Sequence, residues 1–187
     1  MLLHYTLNNL TMSGHSKWST IKHKKALVDA KRSKEFGKVA RLIAVESKRV
    51  KGDTSSPSLK VVIEKAKAMN MPKDNIERAV AKGRGGDVND AESITYEMYG
   101  PGGVAILIAT LTDNRNRTNQ ELKHLVSTLG FQMAEPGAAS WAFGKDGLGW
   151  TPTTLVPVSD SDTDTLAQLV DALEEHDDVQ EVFTNAE

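Results

Sequence analysis

The hydrophobic period of this chain changes once, at Gly83-Arg84-Gly85-Gly86-Asp87, and that change calls for two differently built parts. Before this stretch apolar residues recur every three or four positions, the spacing of a helix face. Phe36, Val39, Ala40 and Ile43 define one helix, with Ser33 placed to cap it and Lys51-Gly52-Asp53 to end it. Leu59, Val62, Ile63, Ala66 and Met69 define a second, opened by Ser56-Pro57, where a proline in the first turn loses no hydrogen bond. Ile76, Ala79 and Val80 define a short third, opened by Pro72, with Gly83 expected to close it in a left-handed conformation. A fourth helix, Ser19 to Ala30, is expected to be weakly buried, with Trp18, Ile21, Leu27 and Val28 as its anchors.

After the glycines the pattern is that of strands. Ile94, Tyr96 and Met98 alternate with Thr95 and Glu97, and Val104 to Leu111 is continuously apolar, as a central strand is. Thr118 and Glu121 form a capping box ahead of the stripe Leu122, Leu125, Val126 and Leu129. Ser140 to Phe143 and Thr153 to Val158 read as short strands, with Pro157 marking an edge, and Asp146-Gly147 between them signals a hairpin. Leu166, Leu169, Val170 and Leu173 make an acidic amphipathic helix, and Val179 to Thr184 a last strand. The expected fold is α+β. A three- to four-helix domain over residues 13–83 and a linker over 84–92 precede a ferredoxin-like β-α-β-β-α-β domain over 93–187, with Ile94 to Met98 as an extra N-terminal strand. Residues 1–12 lack the marks of a signal peptide or presequence and are expected to be an extension ahead of a start at Met12.

Charge divides along the same line. Of 23 Lys and Arg residues, 19 precede residue 91, whereas Thr151 to Glu187 carry ten Asp and Glu and no cation. The net charge of −2 is therefore the sum of two opposed halves, which bears on partners rather than on fold. Lys17, Lys22, Lys24, Lys25, Lys31, Arg32 and Lys34 fall within 18 positions, wrapping a helix rather than marking one face. Phosphate neutralisation needs that many mobile cations and no particular register. Trp18 and His23 lie among them, Trp18 either stacking on a base or anchoring the segment to the core. Arg115 and Arg117 stand just before a helix N-terminus, where they either complete a phosphate site or pair locally with Asp113.

Other chemistries lack their residues. Zero cysteines exclude disulfides and thiolate metal sites and fit a reducing cytoplasm. The longest apolar run, Val104 to Ala109, is too short to span a bilayer. Asp160 to Asp164 resembles the start of a calcium loop, but Thr165 stands where glycine is required, and these aspartates are expected to cap a helix. The histidines lack ligand spacing, and the glycine runs lack the Lys-Ser/Thr of a P-loop. The sequence leads to a non-enzymatic cytoplasmic protein with no catalytic residues, metal, cofactor, membrane or small-molecule substrate. Nucleic acid is the expected partner, with a protein contact through the acidic C-terminal helix.

Several segments resemble one family. They are Gly14-His15-Ser16-Lys17-Trp18, Ile21 to Lys25, Asp29 to Arg32, Asn70 to Ala79, Tyr99 to Gly103, Leu111 to Thr118 and Asp177 to Gln180. Together they are similar to YebC/PmpR proteins over nearly all the chain after Met12. The resemblance implies a DNA-binding transcriptional regulator. Its mitochondrial relatives, translational activators of cytochrome oxidase synthesis, and its ribosome-linked bacterial relatives imply the alternative of a factor bound to ribosomal RNA. The family fold implied is a helical domain, a ferredoxin-like domain and a third domain inserted in the second. Only Gly144 to Gly149 stand at the insertion point here, so the third domain is expected to be missing.

Overall fold

The computed structural model describes residues 29–146 and 149–187. Its first part is three helices, α1 (Asp29–Arg49), α2 (Pro57–Ala68) and α3 (Lys73–Arg84). They bury the predicted stripes against one another: Val39 and Ile43 from α1, Leu59, Val62 and Ala66 from α2, and Ile76, Ala79 and Val80 from α3. Ser33 lies inside α1, which begins at Asp29, so it caps nothing. Ser56 and Pro57 do open α2. Gly83 is not a left-handed terminus: it is a buried residue of α3, and the left-handed glycine is Gly86 at φ 81°. The reason is packing. A Cβ at Gly83 would lie 2.2 Å from the Ala44 carbonyl oxygen and 2.6 Å from Ser47 Cβ, so glycine is what lets α3 cross α1. Ser47 seals the crossing by donating to the Val80 carbonyl at 2.7 Å.

The second part is a four-stranded antiparallel sheet in the order β3-β1-β2-β6. Its strands are β1 (Glu92–Tyr99), β2 (Ala105–Thr112), β3 (Met133–Ala134) and β6 (Val179–Thr184). Helices α4 (Arg115–Thr128) and α5 (Asp160–Glu174) cover one face, where Leu122, Val126, Leu166, Leu169 and Leu173 meet Met98, Ile106, Ile108 and Val182. On the opposite face Ala139, Ala142, Phe143 and Trp150 pack on Ala105, Leu107 and Phe183.

The α+β class and the two-helix face are as expected, but the strand roles are redistributed. The strand expected to be an N-terminal extra, β1, pairs over its whole length with β2 and holds a central place. Ser140 to Ala142 is a short 3-10 turn, and β4 (Phe143–Asp146) pairs with β5 (Gly149–Pro152) in a ribbon of its own. Thr153 to Val158 contributes a single bridge, Val156 to Ala186. β1 wins the central place because Gly100 to Gly103 lets it fold straight back on β2, whereas the later segments return only after a helix. Two residues separate β4 from β5, so nothing is inserted there.

One buried acid holds the ribbon layer in place. Glu97 lies on the β1 face opposite the helices and accepts from the N–H groups of Gly137, Ala139 and Ser140 at 2.7–2.8 Å. Burial pushes its carboxyl up, but these hydrogen bonds together outweigh burial and leave it below the ordinary value.

Candidate nucleic-acid interface

Of the sequence-derived candidates, Lys17, Trp18, Lys22, His23, Lys24 and Lys25, together with most of the Ser19–Ala30 helix, lie outside the described residues. Lys31 falls within α1, with its side chain outside the description. Arg32 is exposed on α1, its guanidinium 5.3 Å from the centre of the Phe36 ring. Lys34 is already engaged. Its ammonium donates to the Glu175 carboxylate at 2.7 Å and to the Glu175 carbonyl at 2.6 Å, at the C-terminal end of α5.

Lys34 belongs to a row. One helical turn on, Lys38 donates to the Glu174 carbonyl at 2.6 Å, and burial and the neighbouring Lys34 push its ammonium below the ordinary lysine value. Next comes Arg41, which reaches Asp178 at 3.1 Å. Lys65 of α2 pairs with Glu181 of β6. Further along α1, Lys48 holds Asp90 and the Val88 carbonyl, and Arg49 the Ala91 carbonyl, so the glycine-rich connection is tied to the end of α1 rather than left loose. The acidic half therefore meets the basic half directly. Side chains at 34, 38, 41, 48 and 49 share one side of α1 by helical spacing, and that side is the docking face.

Asp178 is the pivot of this contact and is buried. It accepts from Arg41 of the first part and, at 2.7 Å each, from Arg117 and the Thr118 hydroxyl of α4. The Thr118 hydroxyl also lies 2.7 Å from Thr112. With one proton to give, it donates to the carboxylate and takes a hydrogen bond from Thr112, which itself accepts from the Asn114 N–H. Burial would raise the Asp178 carboxyl; the hydrogen bonds from Thr118, Arg117 and Arg41 override it and hold it at about 2.

This cluster corrects one sequence expectation and bears on two others. Asn114, not Thr118, caps α4, accepting from the Arg117 N–H at 3.1 Å, because Thr118 is needed in the core beside Asp178. Arg117 is turned onto Asp178 and Asp113, so its guanidinium serves a carboxylate network. The acidic C-terminal helix finds a protein partner within its own chain, α1. Arg115 stays exposed, with no partner for its guanidinium among the described residues. Ser159 rather than the following aspartates caps α5, its hydroxyl accepting from the Asp162 N–H at 3.2 Å.

Glu121, His176 and Asp178 bring their ligand atoms within 4.8 Å of one another. The place a cation would take is filled by Arg117. His176 Nδ1 accepts from the Asp178 N–H, which puts its ring proton on Nε2, facing Glu121 at 3.1 Å. A metal would have to displace both.

Sequence reasoning missed the cations that the domain contact leaves alone. Lys60 of α2 and Lys73, Arg78, Lys82 and Arg84 of α3 are exposed. Among the described residues Lys82 and Arg84 have no acidic partner, and Arg78 donates only to the neutral Asn75. The signal was in the sequence, since Arg78 and Lys82 are four apart on a helix, but the denser lysine run upstream concealed it.

The chain matches two family descriptions: "TACO1/YebC protein N-terminal domain" over residues 16–86, and "TACO1/YebC second and third domain" over 91–149 and 145–186, segments that meet at the β4–β5 ribbon. Curated relatives are called "Probable transcriptional regulatory protein". One from Fervidobacterium nodosum is 37% identical over 235 positions, covering 93% of each chain. That alignment is longer than the 187 residues here, so dozens of the relative's residues have no counterpart. One from Geotalea uraniireducens is 52% identical over 146 residues, covering 77% of this chain but 59% of the relative. Several relatives are likewise spanned over about 59% of their length. The crystal structure of a conserved hypothetical protein from Aquifex aeolicus is similar at a TM-score of 0.76 and 31% identity, covering 92% of this chain and 97% of that one. Matched by the family descriptions over almost all of residues 16–186, and carrying the helical part and the antiparallel α+β part in the same order, this chain belongs to the TACO1/YebC family.

Proposed function

We propose that this protein is a non-enzymatic regulator of gene expression that acts by binding nucleic acid through its helical first domain, most simply as a DNA-binding transcriptional regulator. The names of its relatives support a regulatory role. The observation that carries nucleic-acid binding is the surplus of cations in the first part. The acidic half engages Lys34, Lys38, Arg41 and Lys65, yet Arg78, Lys82 and Arg84 remain exposed, and Lys17, Lys22, Lys24 and Lys25 arrive ahead of α1 with no acidic residue among the first 28. Such a surplus favours phosphate contact without base reading.

The test is a salt series of binding to duplex DNA, with purified ribosomes at the same salt for comparison. The transcriptional reading expects steep salt dependence on duplex DNA and a reduced slope in the Lys22→Glu/Lys24→Glu/Lys25→Glu variant. Tight ribosome binding with only millimolar affinity for duplex DNA would replace it with the translational reading.

A further inference from the structure

The two halves meet without sharing an apolar core. Among the described residues every buried apolar cluster lies within one half: residues 36–80 build one, and residues from Tyr96 onward build the other two. What crosses between them is Lys34 on Glu175, Lys38 on the Glu174 carbonyl, Arg41 on Asp178 and Lys65 on Glu181. A cleft of about 270 Å³, lined by Lys34, Lys38, Lys65, Glu174, Glu175 and Glu181, runs between the halves, so water and salt reach these groups. Ion pairs open to water hold weakly and are screened by salt. Asp178 alone is buried, and if Arg41 left it would keep Thr118 and Arg117 of its own half. Separating the halves therefore strands no buried charge. The connection over residues 85–91 is fastened to α1 in the same way, by the exposed bonds of Lys48 to Asp90 and of Arg49 to the Ala91 carbonyl, and Gly86 gives it a left-handed turn.

We propose that this contact is an autoinhibitory latch, in which the acidic end of the second half stands in for phosphates on α1 and α2 and must leave before those cations can hold a polyanion. The end of α5 suits that role. Its last carbonyls carry the negative end of the helix dipole, and the Glu175 carboxylate adds a full charge beside them. Lys34 gives two of its three N–H groups to that end, one to the carboxylate and one to the carbonyl. A lysine already neutralised by a carboxylate releases no counterion when a phosphate approaches, so it adds nothing to affinity until the acid has gone. Lys38 is held at a cost, since burial and the adjacent Lys34 push its ammonium below the ordinary lysine value, and opening relieves both. Arg78, Lys82 and Arg84 lie outside the latch and give a polyanion its first hold. Opening then turns Lys34, Lys38, Arg41 and Lys65 to it as well. Binding and opening are coupled, so anything that loosens the latch tightens binding.

The latch rests on the nucleic-acid reading for what it inhibits, but its opening is measured without a ligand. The chain has no cysteine, so Ser58→Cys on α2 and Lys123→Cys on α4, both exposed positions, take a spin-label pair in the full chain. Pulsed electron spin resonance then reads the distance between the halves. The releasing variant is Glu175→Gln/Glu181→Gln, which frees Lys34 and Lys65 from their carboxylates and leaves Asp178 in place. Its control is Asp164→Asn/Glu187→Gln, which removes the same charge from exposed residues of the same half that pair with no cation among the described residues. In the wild type the distances should lengthen as salt rises from about 0.05 to 0.5 M, and in the releasing variant they should be long already at low salt. On duplex DNA of about twenty base pairs the releasing variant should bind about three- to tenfold tighter than the control at low salt, the two converging as salt screens the pairs. Equal affinities for the releasing variant and the control overturn the latch and leave the nucleic-acid reading standing. Distances that neither salt nor the releasing variant moves overturn it too. No duplex binding by the wild type, the control or the releasing variant overturns the nucleic-acid reading, and the inhibitory role of the contact with it.

Discussion

Replacing Asp178 by asparagine tests the contact that joins the two halves. The carboxylate takes three charge-assisted or hydroxyl hydrogen bonds, from Thr118 and Arg117 at 2.7 Å and from Arg41 at 3.1 Å. Its carboxyl sits at about 2 in the folded chain against 3.8 ordinarily. At about 1.4 kcal/mol per pH unit, that difference stabilises the fold by about 2 kcal/mol at neutral pH. Asparagine keeps the volume but turns an N–H₂ toward one of two guanidiniums, so the expected cost is about 2–3 kcal/mol. That is less than the 3–5 kcal/mol of a fully buried broken pair, because both arginines keep contact with water. The sign with pH follows from the depressed value: the contribution is complete above the unfolded carboxyl's range and is lost as pH falls through about 4 toward 2. Urea unfolding followed by far-UV circular dichroism at pH 7, 5 and 3 measures it. The gap between wild type and Asp178→Asn should be full at pH 7 and 5 and should shrink at pH 3. A gap below about 0.5 kcal/mol at pH 7, the ordinary size for a surface change, would refute the assignment of Asp178 as the pivot. A gap that stays constant down to pH 3 would refute the electrostatic account of it.

Gly83→Ala should cost about 1–3 kcal/mol despite alanine's better helix propensity, because the new methyl meets the Ala44 carbonyl and Ser47; a thermal midpoint at or above wild type would show that α1 and α3 are not in close contact. Glu97→Ala should cost about 2 kcal/mol by stranding the N–H groups of Gly137, Ala139 and Ser140. Because the folded carboxyl lies below its ordinary value, the same loss should diminish in acid; amide hydrogen exchange at residues 137–140 reports it directly. Lys65→Ala, by contrast, removes a half-buried, water-accessible ion pair with Glu181 and should cost less than about 1 kcal/mol in the same urea assay, with the small effect shrinking further in high salt.

The elements that can be read from local pattern were legible. The stripes of α2, α3 and α5 and the apolar run of β2 depend only on which residues repeat at which spacing, and Ser56-Pro57 marks a helix start through its own backbone preference. Expectations that failed concerned residues with two competing uses. Gly83 can end a helix or admit a neighbouring one, and Thr118 can cap a helix or hold a buried acid; their own segments do not say which. For the interface, Arg32, Lys34, Arg115 and Arg117 were visible as cations, but Lys34 and Arg117 turn out to face acids distant in sequence, while Arg78 and Lys82 were passed over.

The amino-acid sequence by itself determined that this chain has two differently built parts of opposite charge, because periodicity and charge are properties of the covalent chain. Tertiary structure decided which charges remain available to another molecule. Folding brings Glu174, Glu175, Asp178 and Glu181 onto the cations of α1 and α2 across more than a hundred positions of sequence, and Coulombic pairing depends on that distance in space.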